Sequence, residues 1–233
     1  LNNQLVRLKI KNRLNKLDSD DLDNIPNWQI AEAFNKAQRE WVRRQLRGYN
    51  QTRTGREETS GAQADLQQLL KEWTAPFVKK SIYFESTTFP DDYLVFARVS
   101  AKAGKGCCCP RPLILFQGEE SDVDINLMDD GRKPSYSWRT TFYTLFGDKI
   151  RIYTNGEFDI TEPLVSYYRK PRNIVFNGST DPETGVLAAA DVTCEFKDEI
   201  VELIIDEAAS ILGGDLDDNS QFQRGKINAE RNT

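Results

Sequence analysis

Few side chains in this chain could do chemistry, and their spacing argues against most of it. Histidine is absent, which removes the usual general base, Ser-His triads and imidazole metal ligands. Cys107, Cys108 and Cys109 stand side by side, without the two-residue gap that lets a pair of thiolates grip one zinc ion. Flanked by Gly106 and Pro110, they are expected to form a tight bend. Gly104-Lys105-Gly106 is too short for a phosphate-cradling loop leading into a capped helix. The acidic run Asp18–Asp23 invites a calcium reading, but an EF-hand loop needs Gly at its sixth position and Glu at its twelfth, where this chain has Asp23 and Gln29. It reads as a solvated turn. Asp91-Asp92 and Asp129-Asp130 are adjacent acids in turns, which water ordinarily solvates. The expectation is a protein without catalytic residues, metal or cofactor.

What remains is cationic. In Asn27–Gly48, Ile30, Phe34, Ala37 and Trp41 recur at the spacing of one buried helical stripe. Lys36, Arg39, Arg43 and Arg47 gather on the opposite side. Asn27 can cap the first turn and Gly48 can end the last, while Arg43, Arg44 and Arg47 suit the negative end of the helix dipole. Arg53 and Arg56, in the aperiodic stretch Gly48–Gly61, extend the basic surface. Such a row could hold nucleic-acid phosphates in a sequence-independent, salt-sensitive way, or meet a protein partner, or face water. A pI near 5.1 is unlike that of a dedicated nucleic-acid-binding domain.

Charge is unevenly distributed. The whole chain of 233 residues carries a net −5, yet residues 1–56 alone hold 12 Lys/Arg against 6 Asp/Glu, a net +6 that leaves −11 on the remainder. Opposite ends of opposite sign suit head-to-tail contact between copies, though a solvated surface can also be asymmetric by chance. No run of eighteen apolar residues occurs and no signal-peptide pattern opens the chain. Leu1 in place of an initiator Met leads to the expectation that a few residues are missing upstream. Four cysteines, three of them adjacent, suggest a reducing interior rather than a disulfide framework.

These residues must be positioned by a mixed set of elements. Residues 2–17 predict a helix with the stripe Val6, Ile10, Leu14 and Leu17, followed by the helix of Asn27–Gly48 and a third over Ala62–Thr74 through Leu66, Leu69, Leu70 and Trp73. Strand signals begin at Lys80–Glu85. Tyr93–Ala103 fits a short helix or a strand, and Leu113–Phe116 a short strand. Trp138–Phe146, Lys149–Thr154, Glu157–Ile160 and Leu164–Arg169 read as an antiparallel meander, with Gly147-Asp148 and Asn155-Gly156 as hairpin turns. Thr193 then caps a helix to Leu212, with Phe196, Ile200, Leu203, Ile204, Ala208 and Ile211 inward and Gly213-Gly214 as its end. The fold class is α+β: a helical bundle of three N-terminal helices and one C-terminal helix (1–76 and 193–215) with an inserted β-rich lobe (77–192). A polar tail (216–233) follows, in which Phe222 and Ile227 could anchor onto a neighbouring subunit.

Four stretches together resemble one family. TFPDDYLVFARVSA (88–101), KPSYSWRTTFYTLFGDKIRIYT (133–154), EPLVSYYRKPR (162–172) and CEFKDEIVELIIDEAASILGGD (194–215) are similar to structural proteins of crAss-like tailed phages, in particular their head-to-tail connector (ring or adaptor) proteins. The similarity spans about residues 27–215. It implies a helical bundle with a β-rich extension, no catalytic activity, and a twelve-subunit ring beneath the portal around the path of the packaged double-stranded DNA. It also implies contact with the portal protein and with further connector rings or tail proteins, at the head-tail junction of the virion. Cys107–Cys109 and the Gly48–Gly61 stretch correspond to no feature of that family.

Overall fold

A computed structural model describes residues 1–14, 25–47, 66–106, 109–181 and 184–215. The chain is α+β and divides into two compact units, Leu1–Gln67 with Pro171–Thr233, and Gln68–Lys170.

The first unit is built on helices. Helix α1 (Asn3–Leu14) starts where the Asn2 side chain accepts the Leu5 N–H at 2.8 Å, a capping bond that occupies one of the four unpaired donors of a helix start. Val6, Ile10 and Leu14 are buried, as their spacing predicts; Leu17 lies outside the described residues. Helix α2 (Asn27–Arg47) buries Ile30, Phe34, Ala37 and Trp41, and also Ala31, Ala33, Asn35, Gln38 and Val42. The final helix, Asp198–Asp215, packs on both and buries Ile200, Val201, Ile204, Ile205, Ala208, Ala209 and Leu212. Each isoleucine, leucine or valine so buried contributes about 1.5–3 kcal/mol.

Two expectations for this last helix are corrected. Thr193 does not cap it, because residues 193–197 run non-helically and place the buried Phe196 ring edge-on to Trp41 at 5.3 Å. Gly213-Gly214 does not end it, since glycine in a helix costs only about 1 kcal/mol and the neighbouring Leu212 is buried. Leu203 and Ile211 are half-buried rather than inward.

Buried polar side chains fasten the non-helical strap after Pro171. The Asn35 amide donates to the Ile174 carbonyl at 3.1 Å and accepts the Ile174 N–H at 2.8 Å. Gln38 donates to the Arg172 carbonyl at 2.9 Å, and Asn3 donates to the carbonyls of Val175 and Val192 at 2.9 and 3.1 Å. Beside its own Val175–Val192 bridge, the strap thus has further buried backbone groups satisfied by side chains from α1 and α2.

The second unit is two sheets. Strands β1 (Leu70–Trp73), β4 (Tyr93–Gly104), β5 (Arg111–Pro112) and β9 (Asp159–Arg169) form an antiparallel sheet in the order β1-β9-β4-β5. Strands β2 (Phe77–Lys79), β3 (Tyr83–Ser86), β6 (Ile114–Gln117), β7 (Thr140–Phe146) and β8 (Lys149–Tyr153) form the other, in the order β2-β3-β8-β7-β6. Only its β6–β7 pair is parallel, so the chain between them crosses back through helix α3 (Val123–Met128); the final helix is α4. The core takes Val99, Ala101, Ala103, Ile160 and Val165 from the first sheet and Phe84, Tyr143, Ile150 and Ile152 from the second.

The predicted meander holds only at its first turn. Gly147, at φ 57°, closes the β7–β8 hairpin. Asn155 and Gly156 also take positive φ (50° and 73°), yet they carry the chain from one sheet to the other. The free edge of β8 is occupied by β3, with Tyr83 opposite Tyr153, so β9 pairs with β1 and β4. The two runs expected at Glu157–Ile160 and Leu164–Arg169 are one strand, with an irregularity at Glu162-Pro163 where proline offers no N–H to the ladder. The third helix, expected over Ala62–Thr74, is corrected only in part: residues 62–65 lie outside the described residues and Leu66 is helical, but the remainder is not α-helical. Gln67–Leu69 is a single 3-10 turn, and Leu70–Trp73 is β1, because pairing with β9 from Leu70↔Tyr168 to Trp73↔Val165 outweighs a short helix's weak local preference.

Candidate functional site

The predicted cationic row lies on α2, and the structure divides it. Lys36 and Arg43 are exposed. Arg39 is half-buried and donates to the Asn173 side chain at 3.4 Å. Arg47 is the last residue of the helix, and Arg53, Arg56, Phe222 and Ile227 lie outside the described residues. At ~100° per residue, Glu32 and Glu40 fall within about 40° of Lys36, so acids interrupt the cations on their own face. Lys36 also rims a groove of about 210 Å³ with an apolar floor of Ala33, Ile211 and Leu212, beside the exposed Trp28.

The charge polarity seen in the sequence is partly closed within this unit. On α1, Lys9 and Arg13 pair with Glu202 of α4, and Arg13 also with Asp206. Burial opposes the charge of Glu202, but Lys9 and Arg13 outweigh it and hold the carboxyl below its ordinary range. Arg44 of α2 pairs with Glu207 of α4. There burial wins, with Glu40 adding repulsion, and the Glu207 carboxyl is pushed up to about 7 against the pull of Arg44.

In the second unit, the outer face of the five-stranded sheet holds a polar node that no spacing announced. Glu120 follows β6 and reaches back across the sheet. Its carboxylate accepts from Thr144 Oγ1 at 2.6 Å, from Arg151 at 2.8 Å and from the Tyr153 hydroxyl at 3.4 Å. Arg151 donates to Glu85 at 3.1 Å as well, which leads the causes holding the Glu85 carboxyl below its usual range. The guanidinium lies 3.7 Å from the Phe146 ring centre and 5.1 Å from that of Tyr83, geometry suited to cation–π attraction. Gly118 permits the tight turn out of β6, since a Cβ there would sit 3.2 Å from Phe142 and 3.4 Å from the Asn126 amide. Beside it opens a groove of about 490 Å³ lined by Phe116, Gly118, Asp122, Asn126 and Arg132. Every charge of the node has a partner, so it fixes the start of the 118–139 crossover and offers no spare base or nucleophile.

That crossover carries what sequence reasoning missed. Trp138, expected inside a strand from Trp138 to Phe146, precedes β7 and is 81% exposed; Ile125 and Met128 on α3 are 63% and 84% exposed, and Ile114 on β6 is 66% exposed. The available signal was composition, with acids at 119, 120, 122, 124, 129 and 130 around isolated large apolar residues, unlike either a core or a solvated loop.

Thiol and metal chemistry finds little here. Cys109 is exposed and Cys107 and Cys108 lie outside the described residues, while burial pushes the Cys194 thiol up to about 11. Such a thiol is inert at neutral pH. Among the described residues, no group of three or more Cys, Asp or Glu is placed to hold a metal ion, and no helix is long and apolar enough to cross a membrane. Comparison with protein-family models and with curated proteins finds no match.

Proposed function

We propose that the chain is a structural subunit of a phage head-to-tail connector, a non-catalytic ring beneath the portal. Twelve copies would join the portal to further ring or tail proteins and surround the path of the double-stranded DNA. In this reading the helices form a bundle from which the two-sheet unit emerges. The supporting observation is where the family-like stretches fall. They cover β4, β7 with β8, β9 and α4, the elements that supply Val99, Ala101, Tyr143, Ile150, Ile152 and Val165 to one core and Ile200, Ile204 and Ala208 to the other. The resemblance therefore runs through the packing framework of both units.

Sequence-independent nucleic-acid binding through the basic face of α2 draws less support, because Glu32 and Glu40 share that face. The connector reading is tested by co-expressing the chain with the portal protein of the same phage and weighing the purified product. A complex of ring mass is expected; a monomer that ignores the portal refutes the reading.

A further inference from the structure

The second unit exposes two surfaces of opposite charge, each with its own apolar anchors. One surrounds the loop before β7. Ser135 and Thr140 exchange two backbone hydrogen bonds, at 2.9 and 3.2 Å, closing a short loop with Trp138 at its tip. Arg139 takes φ 57°, an uncommon conformation for a non-glycine residue, and its carbonyl accepts the Ile114 N–H at 2.7 Å. Lys105 and Arg111 lie 5.9 and 5.4 Å from the Tyr136 ring centre. Lys105, Arg111 and Arg139 are exposed, and among the described residues none has a carboxylate partner. Trp138 and Ile114 are thus held out among three unpaired cations.

The other surface is the acidic start of the crossover. Glu119, Asp122 and Asp124 are exposed without a cationic partner among the described residues, and α3 beside them presents Ile125 and Met128. Because β6 and β7 are parallel, the crossover leaves β6 at its C-terminal end, whereas Trp138 and Arg139 lead into β7 beside the start of β6.

We propose that these two surfaces bind each other between copies: the Trp138 loop of one subunit seats on the acidic, apolar α3 surface of the next. This rests on the connector reading and names its subunit contact. Charge complementarity selects the partner, since each surface carries the sign and the apolar anchors the other lacks partners for. Two different patches meeting make a heterologous contact, the kind that propagates into a ring when the rotation closes. The closed Ser135–Thr140 loop holds Trp138 before binding, which lowers the ordering cost, and exposed tryptophan and arginine are the residues that most often dominate interface energies.

The test is a charge swap in the full-length chain, followed by sedimentation and light scattering over a concentration series. Asp122→Lys with Asp124→Lys, and separately Arg111→Glu with Arg139→Glu, should each abolish self-association, while an equimolar mixture of the two variants should restore it. Trp138→Ala should weaken association by roughly tenfold or more, and every variant should melt as the wild type does once both are diluted below association, because the sites are exposed. Association of the wild type that none of these substitutions alters would overturn this contact and leave the connector reading standing. A wild-type chain that remains monomeric, alone and with the portal protein, would overturn both. Loss of retention on single-stranded polynucleotide in Arg111→Glu/Arg139→Glu, with self-association unchanged, would also overturn the contact and assign the surface to nucleic acid.

Discussion

Glu207 offers the sharpest measurement of how α2 and α4 hold together. It is 8% exposed, paired with Arg44 and repelled by Glu40, and its carboxyl is raised from 4.5 to about 7 chiefly by burial. A folded-state value above the unfolded one means the folded chain holds a proton that the unfolded chain releases. The stability this contributes is complete below about pH 4.5 and is lost as pH rises through about 7. At about 1.4 kcal/mol per pH unit, the span corresponds to a ceiling of roughly 3 kcal/mol. Glu207→Gln imitates the protonated side chain at every pH. Urea unfolding should therefore find variant and wild type equally stable near about pH 4, and the variant more stable by up to about 3 kcal/mol near about pH 8. Glu202 does not confuse the comparison. Its depressed carboxyl loses stability only as pH falls below the ordinary glutamate range, and it is common to both proteins. A variant less stable than wild type near about pH 8 would refute the reasoning, because it would mean that the ionised Glu207–Arg44 pair is worth more than the burial it suffers.

Three further outcomes are expected. Asn35→Ala removes both bonds to the Ile174 backbone and leaves a buried N–H and carbonyl unpaired, so urea unfolding should show a loss of about 2–3 kcal/mol, with Asn35→Asp, which sets a buried carboxylate oxygen against the Ile174 carbonyl, losing at least as much at neutral pH. Arg151→Ala releases Glu120 and Glu85 from their shared cation, and limited proteolysis should cut within residues 118–139 faster than in wild type; an unchanged rate would show that the node does not fix the crossover. Lys36→Gln with Arg43→Gln should leave the salt dependence of DNA retention unchanged, since acids interrupt that face, and a shallower slope would instead assign phosphate contacts to these two residues.

How far the sequence was legible depends on the range of each signal. The α2 stripe and the Gly147 turn are local, set by residues three or four apart or by one glycine in a positive-φ position, and both stand as read. The error at Asn155-Gly156 has another origin: the turn residues are right for a hairpin, but β3, about seventy residues upstream, already occupies the edge of β8. Strand β1 was misread as helix for the same reason, its partner β9 lying nearly a hundred residues away. Leucines at 66, 69 and 70 satisfy a helical period whether or not a helix forms. Trp138 was misplaced because aromatic character was read as strand character, and nothing local distinguishes an aromatic residue that packs from one held out by a strained neighbour. The acids of α4 posed the opposite problem, since their cations on α1 come from the far end of the sequence.

That last pairing redirects the assembly argument. A net +6 start and an acidic remainder suggested that copies meet through the ends of the chain. Within the first unit, however, Lys9 and Arg13 are already neutralised by Glu202 and Asp206. An ion pair closed inside one subunit is available between subunits only after it is broken, and partly exposed pairs of this kind stabilise by at most about 1 kcal/mol each, so exchanging them gains little in either direction. Steering between copies needs charges that folding leaves unpaired. Among the described residues of the second unit these include Lys105, Arg111 and Arg139 on one side and Glu119, Asp122 and Asp124 on the other, each set beside exposed apolar side chains that contact with a neighbour would remove from water. The overall asymmetry of the chain is therefore a poor guide to its contacts, and the two small patches at the β6–β7 crossover are the better one.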